Sequence, residues 1–393
     1  MQYIKSKRIY FEDGVKDGYL IIEGKKIVGF VNSEAVVDQY LDYGNNRIIP
    51  GIVDTHNHGT YGYELDKILE TDELTKENIR NYMKALTYEG VTSGLPTVTD
   101  TMKCVGEVYK EGYVGARMLG VHSEGPYLNR VGENGRPNPH PDIDLAYVKQ
   151  LYEDSQGLLK LMAMAPEIPG TDKVKDYLLS KGVKLAYAHS DLKSKGAREA
   201  IDSGYRVATH TSNVMTGIHH RDIGGLGVML MDPRVQCEVI CDGLHVNLDF
   251  IEMMFKIKDK SQFMMISDSV GLAGIAPGRY DTGWLTPLNV SEEGFLRDDD
   301  GRLLGSSKSV LYGVGNLVEK VHIPMEEVIK LCSLNAASYY GFGDVKGSIK
   351  IGKDADFVVI SDDYKALSTF VEGDKVFDRS IQEPKFDEQN FFR

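Results

Sequence analysis

The sequence predicts an α/β protein: a (β/α)8, TIM-like barrel with a small β-sandwich domain built from both termini. Three observations carry that expectation. Eight short apolar runs alternate with amphipathic helical stretches between residues 50 and 347. The runs are near-continuously hydrophobic, as parallel strands covered on both faces are. Polar, chemically capable residues recur where several of the runs end, and a barrel collects such ends at one mouth.

In chain order the runs are IIPGIVDT, TSGLPTV, MLGVHSE, LLKLMAMAPE, VKLAYAHS, RVATHTS, QCEVICDG and FMMISDS. Segments such as TKENIRNYMKALTYEG and VKDYLLSKG between them read as helices. An open doubly wound sheet is the competing architecture, but no Gly-rich phosphate fingerprint follows an early strand, which favours the barrel. Residues 1–49 and 348–393 read differently, as short alternating strands broken by Gly, Asp-Gly and Gly-Lys turns. Neither piece alone carries enough apolar surface for a core, so the two are expected to pair in one domain beside the barrel domain of residues 50–347. The stretch IAPGRYDTGWLTPLNVSEEGFLRDDDGRLLGSS is too long for a plain connection. It reads either as a hairpin over the mouth or as a surface insertion that Trp284 anchors by packing.

Composition excludes several function classes. The chain has 393 residues, 42% hydrophobic and 26% charged, which suits a large packed core. A net charge of −13 without a basic run argues against a nucleic-acid partner, so any anionic ligand must meet a local cationic pocket. No apolar run approaches the roughly 20 residues of a membrane-spanning helix. The opening MQYIKSKRIYFEDG lacks a signal core and cleavage site, and Cys104, Cys237, Cys241 and Cys332 form no CxxC pair. A soluble protein of the reducing cytoplasm is expected.

Nine of the ten histidines lie between His56 and His245. His56 and His58 follow the first run, two residues apart and so on one side of an extended chain. Glu124 stands on the third, His189 on the fifth and His210 on the sixth; His245 lies just past the seventh, and Asp268 ends the eighth. Imidazole nitrogen and carboxylate oxygen suit zinc and related divalent ions, with iron, cobalt and manganese as alternatives. Five candidate metal ligands result: His56, His58, Glu124, His189 and His210, enough for one or two ions with Glu124 between them. Asp268 is a sixth ligand or a base. A single strand histidine is commonly a hydrogen-bonded core residue, the reading preferred for His122; five placed alike point to a metal.

These residues resemble the amidohydrolase superfamily, and within it the N-acetylglucosamine-6-phosphate deacetylase family. The likeness runs through PGIVDTHNHG, HSEGPYLN, AHS, THTSNVMTGIHHRDIGG, DGLHV, SDSVGLAG and SLNAASYYGFGDVKGSIKIGKDADFVVI. It implies metal-dependent hydrolysis of an acetamide on an amino-sugar phosphate by a homodimer. Glu124 occupies the metal-linking position where hydantoinase-like relatives carry a carboxylated lysine. The resemblance makes Asp268 the catalytic acid and base, although SDS would also suit a strand-end turn. It assigns the sugar phosphate to Asn213 with the adjoining backbone at Val214, to His245 and to Arg221, the arginine in some members coming from a neighbouring subunit. His220 is a further binding candidate; solvent-exposed loop residues are the competing reading for His219 and His220.

One departure stands out. Members of the family usually carry a histidine in a G-x-H-(N/D)-P setting that supports the acetyl carbonyl. Here the words are NGRPNPHP, and aligning Gly135 and Pro139 puts Pro137 at that position. His140 or Arg136 is left to take the role. THTSNVM also lacks the usual large apolar residue before Asn213, so the galacto epimer, N-acetylgalactosamine 6-phosphate, is the nearest alternative substrate. A non-catalytic binding scaffold is the rival from another class, and the complete ligand set speaks against it.

Overall fold

The computed structural model describes residues 1–132, 136–282 and 286–393, with the side chain of Arg136 also left aside. Gly135, Trp284 and the Arg136 side chain, all invoked above, lie outside the described residues.

Parallel strands form two sheets. One orders Arg117–Met118, Val91–Gly94 and Ile52–Asp54; the other runs Val121–Glu124, Leu159–Met164, Lys184–Tyr187, Tyr205–Ala208, Gln236–Ile240 and Phe263–Ile266 in chain order. A parallel bridge between Thr97 and His122 links the sheets on one side. On the other, the Asp268 amide donates to the His56 carbonyl at 2.8 Å. The third apolar run is split between the sheets at Leu119–Gly120, so its two halves pair with different neighbours.

Period-two alternation explains why these runs are apolar throughout. Leu161, Ala163, Ala186, Ala188, Val207 and Met264 belong to one buried cluster with Val53 and Leu95. Their chain neighbours Met162, Met164, Leu185, Tyr187, Ala208 and Met265 belong to another, which the helices cover. Each fully buried Leu- or Met-sized side chain contributes roughly 1.5–3 kcal/mol. The helix Asp72–Ala85 shows the matching pattern: Thr75, Ile79, Tyr82 and Met83 share its buried face, and Thr71 caps it through the Leu74 amide.

Strands from both ends of the chain share one mixed sheet of eight. Its order is Asp374–Asp378, Ala366–Val371, Phe357–Ile360, Arg47–Pro50, Gln2–Phe11, Gly14–Glu23 and Lys26–Asn32, with Leu41–Asp42 also on Gln2–Phe11. The expected first barrel run is therefore divided: Arg47–Pro50 lies antiparallel to Phe357–Ile360, and only Ile52–Asp54 joins the parallel strands. Gly51 is the hinge between them. A Cβ there would fall 2.1 Å from the Thr92 hydroxyl, so the two sheets approach each other only because that position has no side chain.

The long insertion forms a three-stranded antiparallel sheet, Gly278–Tyr280, Leu288–Val290 and Leu296–Asp298, rather than a simple hairpin. It buries Leu288, Val290 and Leu296 with Leu272 and Phe391. Phe391 sits on the short helix Glu388–Phe391, which docks on the loop after His58. There Asp387 donates its amide to the Tyr61 carbonyl at 2.9 Å, the Asn390 amide side chain donates to Gly62 at 2.8 Å, and Lys67 reaches Asn390 at 2.9 Å. Among the described residues no helix is long and apolar enough to cross a membrane.

Candidate metal centre and catalytic cavity

The predicted ligands meet at the carboxyl ends of the parallel strands. Glu124 is the last residue of its strand; His189, His210 and Asp268 each stand two residues beyond theirs. Those three adopt φ values of 49°, 28° and 50°, the left-handed region that costs non-glycine residues on the order of 1–3 kcal/mol each. The turns aim the side chains back over the strand ends.

Glu124 divides the group. Its Oε2 lies 3.4 Å from His56 Nε2 and 3.2 Å from His58 Nε2, while Oε1 lies 3.2 Å from His189 Nε2 and 3.1 Å from His210 Nε2. Asp268 Oδ1 joins the first pair at 3.4 Å from each nitrogen. The imidazoles face one another through ring nitrogens, His56 to His58 at 3.3 Å and His189 to His210 at 3.0 Å. Two donors each about 2.0–2.1 Å from a tetrahedral zinc would be about 3.3 Å apart, so this spacing fits a shared cation. His56, His58 and Glu124 form one triad able to hold a metal ion; Glu124, His189 and His210 form the other.

Electrostatics point the same way. Burial opposes charge on His58, yet Asp268 and Glu124 push its pKa up to about 10. His56 is likewise buried and likewise driven well above the usual histidine range by the two acids. Burial would raise the carboxyls, but the imidazoles hold Glu124 well below the usual range and Asp268 at about 2. The acids recruit protons onto the histidines, the positive charge a divalent cation supplies more fully.

Neighbouring groups orient the ligands. His189 Nδ1 donates to the Arg130 carbonyl at 2.7 Å, which leaves Nε2 as the free donor atom. His56 Nδ1 lies 3.4 Å from Glu238 Oε2, and Glu238 also accepts from Thr55 at 3.1 Å. Sequence reading passed over Glu238, although an acid inside the buried run QCEVI needs a partner and so was a signal. Glu238→Gln is expected to weaken metal binding at the His56–His58 triad about tenfold or more, measured by titrating the chelated protein. Unchanged affinity contradicts that orienting role. Asp54, pushed up to about 6 by burial, ties the first strand to the last through the Ser267 hydroxyl at 2.6 Å. His122 is wholly buried, its ring 4.5 Å from that of His56, and burial together with His56 keeps it well below the usual range.

A cavity of about 600 Å³ opens above the candidate ligands. It is lined by Asn213, Val214 and His245, and also by residues the sequence did not single out, among them Glu64, Asn138, Ser212, Arg302 and Leu304. His140 does not line it; its ring nitrogen lies 3.0 Å from the Pro141 carbonyl, and Asn138 is the residue of that segment at the wall. His220 and Arg221 are exposed outside the lining, paired with each other at 2.8 Å.

His245 donates from Nδ1 to Asp242 at 2.7 Å and from Nε2 to the Leu304 carbonyl at 2.8 Å. Burial opposes its charge, but Asp242, the Leu304 carbonyl and Asp268 together raise its pKa; Asp242 is correspondingly depressed against its own burial. The raised histidine contributes stability that is fully present below its unfolded pKa of 6.5 and fades as pH rises through the higher folded value. His245→Gln is therefore expected to cost about 1.5 kcal/mol near pH 6 and less at alkaline pH, read from denaturant unfolding. A cost that grows with pH reverses the sign and the explanation.

Comparison with known proteins adds relatives to this geometry. The amidohydrolase family model matches residues 47–378. N-acetylgalactosamine-6-phosphate deacetylase of Escherichia coli O157:H7 is 28% identical over 94% of this chain and 98% of its own length. N-acetylglucosamine-6-phosphate deacetylase of Bacillus subtilis (strain 168) is 28% identical over 92% and 93%. Among solved structures, N-acetylglucosamine-6-phosphate deacetylase from Pasteurella multocida superposes with a TM-score of 0.84 at 25% identity, covering 95% of this chain and 99% of that one.

Proposed function

This chain belongs to the amidohydrolase family, and on that footing we propose that it hydrolyses the acetamide of N-acetyl-D-glucosamine 6-phosphate to D-glucosamine 6-phosphate and acetate. The observation that carries the reading is the division of Glu124: each of its oxygens faces a separate histidine pair, and Asp268 borders the first. Relatives carrying that activity in their names align over almost the whole chain.

His56, His58, Glu124, His189 and His210 would hold one or two divalent ions, zinc by preference, with iron, cobalt or manganese compatible with the same donors. Such an ion supplies Lewis-acid polarisation of the acetyl carbonyl and an acidified water at neutral pH. Asp268 accepts the proton that water loses as its oxygen adds to the carbonyl carbon. It then delivers that proton to the amine nitrogen as the C–N bond breaks. One carboxylate serves both steps because addition leaves it protonated beside the departing group.

Asn213 and Val214 at the cavity wall suit the sugar phosphate, and His245 would join them by releasing the Leu304 carbonyl from Nε2. Arg221 and His220, exposed outside this chain's own lining, suit delivery to the cavity of a partner in a homodimer. His140 does not line the cavity and is left without a role, and Asn138, at the wall, is better placed to meet the acetyl group. We read the parallel strands as one closed (β/α)8 barrel and the eight-stranded sheet as a β-sandwich curled on its own core. Free, buried cysteines fit a reducing cytoplasm.

Acetate release by zinc-loaded protein from the two N-acetyl hexosamine 6-phosphates tests the reading. Higher kcat/KM on the gluco compound is expected. Higher kcat/KM on the galacto compound, the named substrate of the Escherichia coli relative, transfers the assignment to that epimer. No release from either, with zinc, iron or cobalt, leaves a binding scaffold.

A further inference from the structure

The cavity holds a cation that the phosphate assignment above does not use. Among the described residues that line it, Arg302 is the one lysine or arginine. It comes from the return of the insertion, GRLLGSS, where residues 302–305 run along the wall. Two residues on, the Leu304 carbonyl is bound by His245 Nε2 at 2.8 Å, so arginine and imidazole stand on the same side of the cavity. The acids Glu124 and Asp268 occupy the floor with the histidines.

We propose that Arg302 is a specificity-determining residue, the cation that this chain supplies from within its own cavity to the phosphate of the sugar. The inference rests on the deacetylase reading, and it differs from that reading in placing an arginine for the phosphate on the same chain as the candidate metal ligands.

Three features support it. Arg302 is held at its base: its amide donates to Asp298 Oδ1 at 2.7 Å, and Nε lies 3.0 Å from Asp298 Oδ2, an ion pair without hydrogen-bond alignment. Asp298 is buried, with 4% of its side chain exposed, whereas 31% of the Arg302 side chain is open. The anchor fixes the stem of a residue that lines the cavity, and the guanidinium it carries is the planar fork that matches phosphate oxygens. Gly132 makes room for that stem. A Cβ at Gly132 would fall 2.7 Å from Arg302 Cγ, and Gly132 itself lines the cavity. Charge is the third feature: with a net charge of −13, the protein gives an anion little general attraction, so a fixed cation at the site decides its binding.

The test compares acetate release from N-acetylglucosamine 6-phosphate and from N-acetylglucosamine in wild type, R302A and R302K, each zinc-loaded. Calorimetric titration with glucosamine 6-phosphate runs in parallel. In R302A the preference for the phosphorylated sugar, as a ratio of kcat/KM values, is expected to fall about 10- to 100-fold through KM. Affinity for glucosamine 6-phosphate should fall in step, and R302K should recover part of both. An unchanged ratio, or equal losses on both sugars, overturns the inference while leaving the deacetylase reading intact. If wild type releases no acetate from either sugar, that reading falls, and the titration decides the role of Arg302 alone. Should R302A fail to show a cooperative thermal transition, R302K carries the comparison: a native-like ratio together with native-like affinity would then count against the bidentate fork.

Discussion

Replacing Asp268 with asparagine is expected to lower kcat about 10²- to 10⁴-fold while the metal content stays near that of the wild type, because general acid–base transfer contributes on that order. The substitution is a clean one. Asp268 sits at φ 50°, and asparagine tolerates the left-handed region better than most residues. Its backbone is held on both sides: the amide donates to His56 at 2.8 Å, and the carbonyl accepts from Ser306 at 2.7 Å. The shape is kept and the proton acceptor is lost. Acetate release measured alongside metal analysis checks the prediction; activity within tenfold of wild type would mean that another group carries the proton.

The second large effect is expected at Glu124. Its two oxygens belong to separate histidine pairs, so Glu124→Ala should deprive both of their common carboxylate at once. Metal content is expected to fall at both triads and kcat by about 10³-fold or more, since each ion loses an anionic ligand where neutral imidazoles remain. His58→Ala, by contrast, touches one triad and should leave binding at His189 and His210. Full metal content in Glu124→Ala is the result that would break the account. Native-strength binding at one triad would show that the acid serves only the other.

How much of this was legible beforehand depends on what encodes each part. The meeting of the candidate ligands with Asp268 was legible because parallel strands bring their carboxyl ends together whatever the spacing in sequence, and each residue stood at such an end. Glu238 was not singled out because its run reads as buried strand, and pattern alone does not say which neighbour answers a buried acid. Arg302, Leu304, Asn138 and Ser212 come from irregular chain, where no period announces which way a side chain faces. The division at Gly51 escaped for a related reason: residues 48–53, IIPGIV, carry no polar side chain, and apolarity does not separate a strand of one sheet from a strand of the next. The same limit applied to the residues expected at the phosphate, since a motif names Arg221 but its exposed placement follows from the loop's path.

The docking of segment 387–391 against the loop that follows His58 bears on the order in which the molecule is made. Every candidate ligand leaves the ribosome more than a hundred residues before that segment does. A chain can thus lay down the strands and present its imidazoles before the buttress behind one pair exists, so that the buttress closes on elements already made.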